Sequence, residues 1–148
     1  MNLRKGTEAD LPRLLELITE LAIYENAEEQ VVNTVERMKI EGFGLKAVFG
    51  FFVIENEDKI VGAAVYYWRY STWKGKRLYL EDLIVTEAVR GKGAGKILFD
   101  KMIAFGKEEG ASGMMWQVLD WNKPAINFYK KYEATFDAEW LNCHIDFS

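Results

Sequence analysis

Residues Leu83-Ile84-Val85-Thr86-Glu87-Ala88-Val89-Arg90-Gly91-Lys92-Gly93-Ala94-Gly95-Lys96 run from an apolar, strand-like stretch into a glycine-rich loop. Ile97, Leu98, Met102, Ile103 and Phe105 continue the stretch as an amphipathic helix. A glycine loop that opens a helix is a recipe for holding an anion. Glycine lets the backbone turn tightly and approach a ligand without a Cβ in the way. The first N–H groups of the helix lack intrahelical acceptors, and the helix dipole favours negative charge there. Arg90, Lys92 and Lys96 add positive charge, so the expected guest is a pyrophosphate. Gly110 stops the helix, and Met114–Leu119 reads as a strand. This strand–helix–strand unit predicts two parallel neighbours in one sheet.

Working outward, Asn2–Lys5 reads as a short strand. Thr7 with Asp10 resembles a capping box, and Pro12 suits a first turn. Leu11, Leu14, Leu15, Ile18, Leu21 and Ala22 then recur at helical spacing up to about Tyr24. Thr34 is placed as the cap of a second helix that ends at Gly42 and Gly44. Phe49–Ile54, Ile60–Trp68 and Arg77–Val85 are rich in aromatic and β-branched residues. They are joined by the turn Glu55–Lys59 and the polar link Arg69–Gly75, which predicts an antiparallel meander. Asn122 and Pro124 open a last helix, Lys123–Lys131. One or two closing strands are expected between Trp140 and Phe147. The expected class is α/β (α+β): a mixed, mostly antiparallel central sheet flanked by helices, in the order β-α-α-β-β-β-α-β-α-β, as one domain over 1–148.

Composition narrows the function. The chain has 148 residues and a net charge of −4, with 49% hydrophobic and 28% charged residues. That is a globular profile, and its acidity argues against a nucleic-acid partner. No apolar run reaches membrane-spanning length. The N-terminal residues lack a signal-peptide core, so a cytoplasmic location and no membrane partner are expected. Cys143 is the only cysteine and His144 the only histidine. An intrachain disulfide is therefore impossible. A half-buried packing role is expected for the cysteine, a structural one for the histidine, and no metal.

The spacing discriminates among glycine loops. A P-loop needs Gly-Lys followed by Ser or Thr, which is absent here. A dinucleotide loop needs Gly-x-Gly-x-x-Gly, whereas Gly91, Gly93 and Gly95 give Gly-x-Gly-x-Gly. Arg90-Gly91-Lys92-Gly93-Ala94-Gly95 fits the acyl-CoA pattern Arg/Gln-x-x-Gly-x-Gly/Ala. A second block follows, Trp121-Asn122-Lys123-Pro124-Ala125-Ile126-Asn127-Phe128-Tyr129. Together they resemble the GNAT superfamily of N-acetyltransferases. Glu20-Leu21-Ala22, Tyr24-Glu25, Glu29-Gln30-Val31, Gly42-Phe43-Gly44, Tyr66-Tyr67 and Leu78-Tyr79-Leu80-Glu81-Asp82 are similar to the spermidine/spermine (diamine) acetyltransferase family, from Arg4 to about Asp146.

The resemblance implies acetyl-CoA as co-substrate, a small-molecule amine as acceptor, and a homodimer. The acetyl group would pass to a primary amine of a polyamine or diamine by direct attack. It implies that Glu81 accepts the amine proton and that Tyr129 donates to the departing thiolate. It places acetyl-CoA against Leu83, Ile84 and Val85, the loop Arg90, Gly91, Lys92, Gly93, Ala94, Gly95 and Lys96, and the block Asn122, Pro124 and Ala125. Tyr24, Glu25 and Glu81 would face the amine, with Glu28 and Glu29 beside them or merely solvated. Asp82 is expected on the opposite face from Glu81, because successive strand residues alternate. Trp68, Tyr70 and Trp73 belong either to the same mouth or to sheet packing. Two departures stand out. Arg69-Tyr70-Ser71-Thr72-Trp73-Lys74-Gly75 lacks the Asp of the polyamine branch. With Val118–Asn122, it looks more like the branch that acetylates thialysine and lysine-like amines. Glu133 stands where many members have Gly. A non-catalytic acetyl-CoA-binding module is the remaining alternative.

Overall fold

The computed structural model describes residues 1–147. Its elements are β1 (Asn2–Lys5), α1 (Leu11–Tyr24), α2 (Val35–Phe43), β2 (Gly50–Asn56), β3 (Lys59–Ser71), β4 (Gly75–Val85), α3 (Ala94–Glu108), β5 (Met114–Met115) and α4 (Lys123–Lys130). Short 3-10 turns lie at Glu8–Asp10, Glu28–Gln30 and Glu87–Val89. By contacts the chain forms two compact units, one from Met1 to Trp116 and one from Gln117 onward.

The first unit holds the whole sheet, in the order β1-β2-β3-β4-β5. All pairs are antiparallel except β4 with β5, which is parallel as the strand–helix–strand reading requires. Along β2 and β3 the side chains alternate between two cores. Phe51, Val53, Ala63 and Val65 pack with Leu11, Leu14 and Leu17 of α1 and Met38 of α2. Phe52, Tyr66 and Trp68 turn to the other side, where their rings lie 5.0–5.7 Å from Phe105 of α3.

Local chemistry fixes the helix ends. The Thr7 N–H donates to Asp10 Oδ2 at 2.7 Å, and Arg4 grips the same carboxylate through Nη1 (2.7 Å) and Nη2 (2.9 Å). Thr34 Oγ1 accepts from the Arg37 N–H, as its capping role predicts. α1 stops at Asn26, whose φ of 58° reverses the chain. Ala27 N–H bonds to Ala22 O and Asn26 N–H to Ile23 O, the paired bonds of a Schellman motif. Tyr24 and Glu25 are thereby presented at the blunt end of α1.

Three expectations are corrected. The link Arg69–Gly75 is mostly strand: Arg69 pairs with Arg77 and Tyr70 with Lys76, and the turn shrinks to the residues between Ser71 and Gly75. The Ser71 hydroxyl closes it by accepting from Trp73 N–H and Lys74 N–H. The strand expected over Met114–Leu119 is only Met114–Met115. The closing strands expected between Trp140 and Phe147 do not form. Leu141, Ile145 and Phe147 are exposed there. Their apolar pattern suits a strand, but a strand also needs a neighbour to satisfy its backbone groups.

Candidate functional site

The chemistry in the first unit gathers where β4 breaks its register. Val65 pairs with Asp82, but the next residue, Tyr66, pairs with Leu80. Glu81 is the extra residue of a β-bulge. On the far side of the bulge, Tyr79 stacks on Tyr67 with ring centroids 4.9 Å apart. Tyr67 shares the α1 face with Ala63 and Val65, so Tyr79 and Glu81 lie on that face too. On the near side, Ile84 packs into the α1 core, and Asp82, two residues earlier, shares its face. The expectation that Asp82 turns away from Glu81 is therefore wrong. The bulge absorbs one step of the alternation and leaves both carboxylates on the α1 face.

Electrostatics agrees with this placement. The Asp82 carboxyl is pushed up to about 7, first by burial and then by the negative charges of Glu81 and Glu25. Burial also raises Glu25. The Tyr67 phenol is raised by burial and then by the Glu81 charge. Glu81 itself is exposed. Arg69, one strand step beyond Tyr67 on the same face, lies with its Cζ 5.7 Å from the Tyr79 ring centre. Its Nη1 is 3.1 Å from the Met115 sulfur. Trp68 is not at this mouth, since it packs under α3 against Phe105, with the Lys76 ammonium 4.1 Å from its ring centre.

The glycine loop follows directly. The β4–β5 ladder ends at Tyr79 and Met115, so Leu83, Ile84 and Val85 are paired with β3 on one edge and, among the described residues, with no strand on the other. Gly91 and Gly93 adopt φ of 83° and 88°. A Cβ at either would meet nothing within 4 Å, so it is the left-handed backbone, not crowding, that calls for glycine. Ala94 is buried and anchors the first turn of α3, with Gly95 behind it. The orphan N–H groups of that turn suit a pyrophosphate. The cations divide: Lys92 is exposed, Lys96 Nζ sits 2.7 Å from Asp100, and Arg90 folds back toward β4 and α1.

In the second unit, Asn122 caps α4 by accepting the Ala125 N–H at 3.3 Å, with Pro124 in the first turn. Tyr129 is buried in α4, its ring 5.5 Å from that of Phe128. Glu133 follows α4 at φ 59°, a left-handed backbone that favours glycine. Cys143 is exposed, contrary to the packing role expected of it. Among the described residues, no three His, Cys, Asp or Glu side chains come together as a metal would require. No helix there is long and apolar enough to cross a membrane.

Sequence reasoning missed Asp82 as a member of the carboxylate group. The signal was present as two adjacent acids between the apolar and aromatic runs Leu78–Leu80 and Leu83–Val85. The bulge that gives the pair its meaning has no mark in the sequence.

Known proteins resemble this chain throughout. The profile of the acetyltransferase (GNAT) family matches residues 13–133. A thialysine N-epsilon-acetyltransferase of Bos taurus is 36% identical, over 95% of this chain and 89% of that one. A spermidine/spermine N(1)-acetyltransferase-like protein of Homo sapiens is 34% identical, over 86% of this chain and 19% of that protein. An aminoglycoside acetyltransferase from an uncultured soil metagenomic sample, solved with trehalose, shares the fold. Its TM-score is 0.79 at 22% identity, over 99% of this chain and 96% of the other.

Proposed function

The chain belongs to the acetyltransferase (GNAT) family and is an N-acetyltransferase, and we propose that its acceptor is the primary amine of a small aliphatic molecule, taken up on the bulge face of β4. The carboxylates of Glu81, Asp82 and Glu25 on that face carry this reading. They attract an ammonium, and the aromatic ring of Tyr24 adds a cation–π surface. GNAT enzymes use acetyl-CoA, and the left-handed turns at Gly91 and Gly93 and the open first turn of α3 fit its pyrophosphate.

An ammonium has no lone pair, so the amine must lose a proton before it attacks. Glu81 accepts that proton, directly or through water, with the Tyr67 phenol beside it on the same face. The nitrogen then bonds to the acetyl carbon. A backbone N–H on the free edge of Leu83–Val85 stabilises the oxyanion. As the carbon–sulfur bond breaks, Tyr129 gives a proton to the thiolate, and the second proton shed by the acylated nitrogen passes to solvent, from which Tyr129 is reprotonated. Asn122, Pro124 and Ala125 line the pantetheine arm, and the reaction needs no metal.

For the acceptor there are two readings. A polyamine or diamine satisfies the carboxylates alone. A lysine-like amino acid such as thialysine also carries a carboxylate, for which Arg69 is the matching cation on the same face. That residue, together with the thialysine acetyltransferase relatives, favours the second reading. The one-domain reading over 1–148 is part of the same proposal, supported by a family match that spans both compact units. So are a homodimer, for which exposed Ile40, Leu45 and Val48 offer apolar surface, and a cytoplasmic location. Incubation with acetyl-CoA and spermidine, a short diamine or thialysine, followed by mass measurement of the product, tests the acceptor. The reading expects an added acetyl group on thialysine foremost, and acetylation of none of the three refutes it.

A further inference from the structure

Glu20 lies one helical turn before Tyr24, on the same face of α1. Its carboxylate reaches across to the start of the glycine loop. Oε1 accepts the Glu87 N–H at 3.0 Å, and the Thr86 hydroxyl lies 3.1 Å from Oε1 and 3.0 Å from Oε2. Arg90 completes the bracket. Its Nε donates to Val85 O at 3.1 Å, its Nη2 is 4.0 Å from Glu20 Oε1, and its Cζ is 5.4 Å from the Tyr24 ring centre. The arginine expected to face the pyrophosphate is thus spent on joining the end of β4, the loop and the last turn of α1.

We propose that Glu20 is a positioning residue that, through Thr86, Glu87 and Arg90, makes the glycine loop and the Tyr24–Glu25 end of α1 respond to acetyl-CoA as one unit. The inference rests on the acetyl-CoA reading of the loop. The physical ground is entropic. Gly91 and Gly93 leave the loop costly to order, and Glu20 anchors its upstream end to a helix. Ordering the loop from its downstream side therefore also orders what Arg90 touches. Tyr24 and Glu25, the amine-facing residues, are at the other end of that bracket.

Hydrogen exchange of the full chain, with and without coenzyme A, tests this without an acceptor. In the wild type, saturating coenzyme A slows exchange in segment 86–97 and also in segment 20–27. In Glu20→Ala, at saturation, protection of 86–97 remains while that of 20–27 is lost. Coenzyme A binds roughly threefold to tenfold more weakly to the variant. Glu20→Gln keeps an acceptor oxygen for Thr86 and Glu87 but loses the charge facing Arg90, and it decides the matter if the alanine variant does not fold. Its protection of 20–27 falls below the wild-type level. Unchanged exchange at 20–27 in the wild type, or full protection there in the variants, overturns the coupling. Absence of protection at 86–97 in the wild type instead refutes the acetyl-CoA reading itself.

Discussion

Glu81 and Asp82 are consecutive in the chain yet lie on the same face of the sheet, because β4 carries one residue more than β3 between the pairs Val65–Asp82 and Tyr66–Leu80. Had the ladder been regular, one carboxylate would lie under α3 among Phe105, Tyr66 and Trp68. The bulge instead gives the α1 face two acids where alternation allows one, with Glu25 close enough to act on Asp82.

That crowding has a pH signature. Asp82 is raised from 3.8 to about 7, so the folded state holds its proton more tightly than the unfolded chain. Its contribution to stability is fully present below about pH 4 and is lost as the pH rises through about 7. Asp82→Asn should melt like the wild type near pH 4 and roughly 3–6 °C higher at pH 8. Thermal melts across that range check it.

Asp10 has the opposite sign. Arg4, then the Thr7 bonds, hold it down to about 2 against the opposing effect of burial. The stability this provides is present above about pH 4 and is lost as the pH falls through about 2. Asp10→Asn should cost about 1–3 kcal/mol at pH 7, with the deficit vanishing in acid. Urea titrations at pH 7 and pH 2 would measure both ends.

Glu133 holds φ 59° after α4. Glu133→Gly should stabilise the chain by about 0.5–1 kcal/mol, because glycine adopts the left-handed region without a Cβ penalty. A lower melting temperature for the variant would count against backbone strain there.

Gly93→Glu changes φ preference and charge at the mouth of the loop, where an added Cβ would meet no protein atom within 4 Å. Calorimetry should find acetyl-CoA binding weakened more than tenfold, about 1.4 kcal/mol, alongside a modest drop in melting temperature from a non-glycine residue at φ 88°. Unchanged affinity removes the loop from the site.

Much of this fold was legible because its signals are local. Leucine spacing gives α1, Thr34 and Asn122 mark caps, and Gly110 at φ 81° ends α3. The strand–helix–strand unit dictates the parallel pair. What escaped was relational. The bulge at Glu81 depends on how β4 meets β3, and the extension of β3 to Ser71 depends on a serine turn. The tail from Trp140 has a strand's composition without a strand's partner. Arg90 was legible as a cation in a glycine loop, but its commitment to Glu20 and Val85 depends on α1 lying beside it.

The central claim is that this chain moves acetyl groups to a small primary amine with Glu81 receiving the proton. Its most direct test is thiol release from acetyl-CoA, followed against pH, for wild type and Glu81→Gln side by side with thialysine and spermidine. The account predicts release only when an amine is present. It also predicts a kcat for Glu81→Gln lower by roughly a hundredfold, without the wild-type rise with pH. Amine-dependent release that is equally fast in Glu81→Gln, or no release from a wild-type protein that binds acetyl-CoA, would contradict it.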